Sequence, residues 1–368
     1  MSNTHNKTPK TRLERVRAEM AAHGLTQLLV SDPTTIFYLT GLRLDPGERM
    51  YCLLFSADGS VRLFVNRLFG TPDVGLPVIN FDDTDDAPAL LAPYLDAKKA
   101  LGVDKDWPAR FLLRLQELPV AREYRVGSIC CDMVRAVKDE AEQQAMIQSS
   151  AVNDACMVEF AAAIHPGVTE LELAEKILAI YKARGCSGPS FEPIVAFAED
   201  AADPHHQNSN RVLQPGEMVL LDVGGVYHDY CSDMTRTFFT AQPTAKQREV
   251  YELVRRANET AEKLVRPGVK MCELDAAARN VIFEAGYGKY FNHRLGHFIG
   301  LNDHEYGDVS AACRIEAKPG MCFSIEPGIY LPGEFGVRIE DLVLVTEDGC
   351  KILNSYPKEI TVLAESVR

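Results

Sequence analysis

Leu13, Val16 and Met20 recur at helical spacing ahead of Gly24, and the apolar run QLLVS behind them predicts a short buried strand. The runs YCLLF and VRLFV flank a polar stretch with Asp58-Gly59 at its tip, the signature of a β-hairpin. LGVD, near residue 101, predicts another strand ahead of the helical RFLLRLQEL. Residues 1–128 therefore read as a small mixed α/β domain, with the single tryptophan, Trp107, in its core.

The period changes after Lys138. Ile147, Ala151, Ala155, Val158 and Ala162 trace one helical face over four turns until Pro166-Gly167 ends it, which places a domain boundary between 126 and 137 and assigns 129–368 to a second domain. Thr169 with Glu172, and Thr244 with Gln247, form capping boxes that open two more helices, and another runs from about Cys272 to Gly286. Three apolar strand regions carry acids: VLLDVGGVYHDYCSDMTRTFF, GMCFSIEPGIY and GVRIEDLVLV. The first reads as a hairpin with 222 opposite 233, 224 opposite 231, 226 opposite 229, and Tyr227-His228 as its turn. Helices beside an antiparallel, partly curved sheet make this an α+β domain with acids on the concave face.

Charge gives the pattern a chemical meaning. Two carboxylates side by side on apolar strands repel by ~4 kcal/mol at ~4 Å and an effective dielectric of ~20, which calls for a cation between them. Asp222, Asp233, Glu326 and Glu340 offset two divalent ions, and a histidine from FNHRLGHFIGLNDHE adds a softer ligand. Gly296 and Gly300 permit close backbone approach and favour His297 over His293 or His304. The formal net charge of -13 excludes nucleic acid or an anionic membrane as the main partner. Ten cysteines without C-x-x-C spacing read as reduced core thiols, and no run approaches a membrane span or a signal-peptide core, so the expected compartment is the cytoplasm.

The segments DVGGVYHDYCSDMTRT, HRLGHFIG, DHE, FSIEPGIY and GVRIED together resemble the five-ligand signature of the pita-bread metallopeptidases, the group of methionine aminopeptidase, aminopeptidase P and prolidase. DPTTIFYLTGLRLDPGERM extends the resemblance to the N-terminal creatinase-type domain, and is similar to bacterial Xaa-Pro dipeptidases in particular. The resemblance implies a C-terminal pita-bread domain holding two divalent metals, with manganese first and cobalt, zinc or iron also compatible. Asp222 would chelate one metal, Asp233 and Glu340 would bridge, and His297 with Glu326 would complete the other; Glu326 would also accept the proton of the attacking water. His205, His293 and His304 would face substrate, and Tyr230 and Arg338 would support ligands or contact it. Ala198, Asp200 and Tyr306 depart from the family's usual Gly, Asn and Pro, which bears on pocket shape.

The implied activity is hydrolysis of Xaa-Pro dipeptides, with Arg294 and Arg338 as candidate grips for the substrate's free carboxylate, in a homodimer whose loop GLRLDPGERM covers a neighbouring site. The alternatives are an aminopeptidase P acting on longer Xaa-Pro peptides, a non-catalytic peptide- or protein-binding relative, and another hydrolase or lyase on the same scaffold.

Overall fold

The computed structural model describes residues 11–363. Residues 1–10, read above as lacking a signal-peptide core, lie outside the described residues. The chain divides into two compact units between Arg135 and Ala136.

In the first unit, β1 (Gln27–Val30), β2 (Cys52–Phe55), β3 (Val61–Asn66), β4 (Val78–Phe81), β5 (Ala100–Val103) and β6 (Glu123–Val126) form a mixed sheet in the order β4-β3-β2-β1-β5-β6. The expected hairpin is β2–β3, with Gly59 in the left-handed region at its tip. Helices α1 (Arg12–Ala22), α2 (Pro33–Thr40), α3 (Ala109–Gln116) and α4 (Ile129–Ala136) accompany the sheet. Asp32 caps α2 by accepting the Thr34 and Thr35 N–H groups, and Pro33 supplies the preset first turn. Trp107 packs with Phe64, Leu101 and Leu115 in the core. In the loop of residues 41–50, Arg49 grips Asp83 through two bonds of 2.8 and 2.9 Å.

The second unit carries α5 (Glu140–Ala163), α6 (Glu170–Ala183), α7 (Ala245–Glu262) and α8 (Met271–Glu284). Both predicted capping boxes are present, at Thr169 and Thr244. Its strands are β7 (Gly188–Pro189), β8 (Ile194–Phe197), β9 (Met218–Val223), β10 (Gly225–Tyr227), β11 (Tyr230–Cys231), β12 (Met234–Phe239), β13 (Gly296–Phe298), β14 (Glu305–Val309), β15 (Cys322–Ile325), β16 (Gly328–Leu331), β17 (Phe335–Arg338), β18 (Asp341–Val345), β19 (Cys350–Ile352) and β20 (Thr361–Val362). The single antiparallel sheet expected from sequence is divided. β20-β12-β9-β8 and β14-β13-β15-β18-β19 form the two larger sheets, β11-β10-β7 and β16-β17 two smaller ones, and β12 pairs with β20 in parallel.

Two sequence expectations are corrected. The first hairpin pairs Asp222 with Thr235 and Tyr227 with Tyr230, so its register is two residues from the expected one and its turn is His228-Asp229. Both turn residues have positive φ, 50° and 69°, a conformation that Asp tolerates far better than an aromatic residue such as Tyr227. A two-residue shift preserves the face, so Asp222 and Asp233 stay diagonal neighbours. The inward face of α5 is also different: Val158 is 61% exposed, whereas Met146, Ser149, Asn153, Cys156, Met157 and Phe160 are buried. Polar residues take buried positions there because the broken hairpin leaves carbonyls to satisfy. The Ser149 hydroxyl bonds the Gly225 and Tyr230 carbonyls, and Asn153 donates to the Val223 carbonyl while accepting from the Tyr181 hydroxyl.

Asn153→Leu is expected to destabilise the protein by ~1–3 kcal/mol, because a buried carbonyl and a buried hydroxyl lose their partner together. Chemical denaturation checks this, and an unchanged midpoint would contradict the role given to Asn153.

Candidate metal centre

Three of the four predicted acidic ligands sit in two-residue breaks between consecutive strands: Asp233 between β11 and β12, Glu326 between β15 and β16, and Glu340 between β17 and β18. At such a break the chain leaves the hydrogen-bonding pattern of one sheet for another, and the side chain is released from simple alternation. The breaks remain anchored: the Glu326 N–H donates to the Leu295 carbonyl at 2.8 Å, and the Glu340 N–H to the Thr235 carbonyl at 3.2 Å. Asp222 lies one residue before the end of β9. His297 is central in β13, where the register shifts, and a Cβ on Gly296 would stand 2.0 Å from the Ser324 carbonyl oxygen, so only glycine fits beside it.

These elements bring all five predicted ligands together. His297 Nε2 is 3.4 Å from Asp233 Oδ2 and 3.7 Å from Glu326 Oε1. Donor atoms of Asp222, Asp233 and Glu340 lie within 4.8 Å of one another, as do those of His297, Glu326 and Glu340. His297 Nδ1 faces the Phe298 carbonyl at 3.3 Å; a proton there leaves the Nε2 lone pair directed at the acids.

The cluster is electrostatically costly as protein alone. Asp222 Oδ1, Asp233 Oδ1 and Glu340 Oε1 are buried and accept no hydrogen bond from the described residues. Burial, reinforced by the neighbouring acids, pushes Asp233 and Glu340 well above the usual carboxylate range. Burial also raises Glu326 to about 8 against the opposing charge of Arg338. It lowers His297 to about 3, with His304 and Arg294 adding to the effect, so the ring is neutral at working pH. Orphaned carboxylate oxygens around a neutral imidazole are the donor set of divalent cations, and these residues fit such ions.

Arg338 ties the cluster to its surroundings. It donates to Asp222 Oδ2 at 2.6 Å, to Thr235 Oγ1 at 3.1 Å and to the Tyr330 hydroxyl at 2.9 Å. Thr235 in turn donates to Glu340 Oε2 at 2.6 Å. His293 is engaged through both ring nitrogens, by the Arg294 carbonyl at 2.7 Å and the Tyr330 hydroxyl at 2.8 Å, and burial holds its pKa down to about 3.

A cavity of about 350 Å³ opens on the cluster and is lined by ten of the eleven residues singled out from sequence. His205 faces it, whereas His206 binds Glu170 at 2.8 Å. The His304 ring is 60% exposed and stands 4.1 Å, centroid to centroid, from that of His297. Arg294 lines the cavity with no hydrogen-bond or ion-pair partner among the described residues. Tyr230 is the exception: it is buried, is not a lining residue, and its hydroxyl donates to Glu142 at 2.8 Å. Sequence reasoning missed Asp303, Thr235 and Tyr330, all inside quoted segments, and the cavity walls Phe191, Glu192 and Ile194. The correct hairpin register would have pointed to Thr235, since it pairs with Asp222.

The profile of metallopeptidase family M24 matches residues 144–347, more than half of the chain. The chain belongs to that family. Residues 12–137 match the creatinase/prolidase N-terminal domain, so the protein combines a creatinase-type domain with an M24 pita-bread domain. Over 358 residues it is 36% identical to an uncharacterised peptidase of Staphylococcus saprophyticus, covering 94% of this chain and all of that one. Among solved structures it is similar to dipeptidase PepE of Mycobacterium ulcerans, with a TM-score of 0.90 and 36% identity over 96% of this chain and 97% of that one. It is likewise similar to a prolidase of Thermococcus sibiricus, with a TM-score of 0.89 and 32% identity over 97% and 100% of the two chains. M24 membership and the acid-histidine clusters make it a metallopeptidase using divalent metal.

A pH effect follows for protein stripped of metal. Glu326, near 8, lies above the unfolded carboxylate value of ~4, so its contribution to stability is fully present below that value and is lost as pH rises through about 8. Calorimetry should show the chelated protein melting at lower temperature at pH 9 than at pH 6, with the difference shrinking when a divalent ion such as Mn(II) is added. Equal melting of the chelated protein at both pH values would contradict this.

Proposed function

We propose that this M24 protein is a metal-dependent Xaa-Pro dipeptidase whose two divalent ions are held by Asp222, Asp233, His297, Glu326 and Glu340. The observation that carries the dipeptidase reading is Arg294: a guanidinium lining the cavity beside the acid cluster with no hydrogen-bond or ion-pair partner among the described residues. A dipeptide presents a free C-terminal carboxylate close to the scissile bond, and a guanidinium can take it through two hydrogen bonds. Arg338, the other sequence candidate, already spends donors on Asp222, Thr235 and Tyr330, so the carboxylate is assigned to Arg294. The dipeptidase and prolidase among the similar structures support the same substrate class.

When bound, the ions supply an activated water and a Lewis acid for the scissile carbonyl. Glu326 is the proton acceptor of the reaction: burial has already raised its affinity for protons, and Ser324 Oγ orients its Oε1 at 3.2 Å. His205 and His304, exposed rings on the cavity, donate to the substrate carbonyl and to the oxyanion that forms from it. His293, held by Tyr330 and the Arg294 carbonyl, gives the cavity a fixed imidazole wall. Phe191, Ile194 and Pro204 give the apolar surface that a proline ring needs. Tyr230, bonded to Glu142, supports the hairpin that carries Asp222 and Asp233.

A carboxylate-rich set with one imidazole suits manganese, and cobalt, iron or zinc by the same donors. Ten free thiols suit a reducing compartment such as the cytoplasm. Among the described residues, no helix is long and apolar enough to cross a membrane. The polar loop of residues 41–50 is assigned to a neighbouring subunit's site in a homodimer.

Steady-state kinetics on Ala-Pro and Ala-Pro-Ala with Mn(II) test the proposal: the dipeptide should be strongly preferred, and cleavage of the tripeptide alone would establish an aminopeptidase P instead. Arg294→Ala should raise KM for Ala-Pro by about 10- to 100-fold, the worth of a charge-assisted pair, with a smaller change in kcat. Asp233→Asn should lower kcat by at least about 100-fold, and undiminished turnover would leave a binding role on the same fold.

A further inference from the structure

Asp303 is an acid in the cluster that the five-ligand set leaves unused. It stands immediately before His304 and lines the cavity, and its side chain is 18% exposed. One of its carboxylate oxygens lies within 4.8 Å of donor atoms from Asp233 and His297, which are themselves within that distance of each other. Asp303 Oδ1 is buried without a hydrogen-bond partner, and so is Oδ1 of Asp233, a residue only 3% exposed. Oδ2 of Asp303 is 3.5 Å from His304 Nε2. A largely enclosed carboxylate with an unmet oxygen, facing a second such carboxylate and a neutral imidazole, is costly to hold there as protein alone, and the charge of Arg294 offsets only part of that cost.

We propose that Asp303 is a sixth protein ligand of the metal centre, serving the ion bound by His297. This rests on the dinuclear reading given above. On the His297 side the chain offers Asp233, Glu326, Glu340 and Asp303 besides the imidazole. On the Asp222 side it offers Asp222, Asp233 and Glu340, and there the Arg338 guanidinium already occupies Asp222 Oδ2 at 2.6 Å. More oxygen donors and more negative charge favour the first position, and a high donor count suits Mn(II) or Co(II) better than tetrahedral Zn(II). Asp303 thus adds one more oxygen donor and one more negative charge to the His297 side of the centre.

The test is metal titration of the full-length, chelator-stripped protein by calorimetry with Mn(II), together with visible absorption of the Co(II)-loaded protein. Wild type should bind two ions in separable steps. Asp303→Val should weaken the tighter step by at least about 10- to 100-fold, the loss seen when even an outer partner of a ligand is removed, and leave the weaker step within about threefold. Asp303→Asn, isosteric and suited to a fold that tolerates Val poorly, should give the smaller loss of the two. The Co(II) spectrum of either variant should intensify as the ion loses a ligand. Two ions bound by wild type with both steps and the spectrum unchanged in the variants would overturn the role of Asp303 and leave the dinuclear centre standing. Failure of wild type to bind any divalent ion would overturn both.

Discussion

The whole second unit is arranged around an unfavourable interaction: six carboxylates line one partly enclosed space with the guanidiniums of Arg294 and Arg338, and five of them, those of Asp222, Asp233, Asp303, Glu326 and Glu340, cluster together. The acids cannot all ionise as protein alone, and burial with mutual repulsion drives several of them upward. Such a cluster persists only because the surrounding framework over-determines it. Two hairpins, each broken where an acid must turn inward, hold the carboxylates against their own repulsion. The helix α5 underwrites one of those breaks with Ser149 and Asn153. Strain of this kind is expected where a cation is to be received, since the energy cost of assembling the acids is met before the ion arrives.

The neighbouring residue shows what the same fold does with an acid that is not meant for an ion. Asp341 follows Glu340 directly and is fully buried, yet it is paired with Arg236 at 2.7 Å and Lys358 at 2.6 Å. Lys358 also holds Glu262, so this set contains two cations and two anions. Arg236 meanwhile donates to the Glu340 carbonyl at 2.7 Å, fixing the backbone that carries the unpartnered Glu340 Oε1. Charge is therefore balanced on one side of this dipeptide and left open on the other. The open side is a property of the site rather than a tolerance of the fold for buried charge.

Much of this was legible in the sequence, and the gaps have physical causes. Helix starts were readable because capping boxes are local: Thr169-Glu172 and Thr244-Gln247 need only four residues to declare themselves. The acids stood out because Asp and Glu are rare in runs of Val, Ile and Phe. The hairpin register slipped by two because alternation is invariant to that shift, and only the preference of Asp229 for positive φ distinguishes the true turn. The face of α5 was misread because hydrophobicity marks burial only where no backbone needs a partner, and Ser149 and Asn153 are buried for that need. Asp303 was passed over because its role depends on the register shift that follows His297 in β13, which brings residues 305 and 308 opposite 298 and 297 and has no sequence signature of its own.

Arg338 explains how the cluster can be both repulsive and ordered. Its guanidinium binds Asp222 directly, reaches Glu340 through the Thr235 hydroxyl, and orients His293 through the Tyr330 hydroxyl. One planar cation thus sets the positions of two acids and one imidazole drawn from three different sheet regions, using the fixed fork that lysine lacks. It takes up an Asp222 oxygen directly, whereas at the His297 end the guanidiniums of Arg338 and Arg294 oppose Glu326 and Asp303 by charge without bonding their oxygens. The direction of the imbalance follows from where the arginine donates: an ion meets more open carboxylate oxygens at His297, and at the Asp222 end one oxygen is already taken by Arg338.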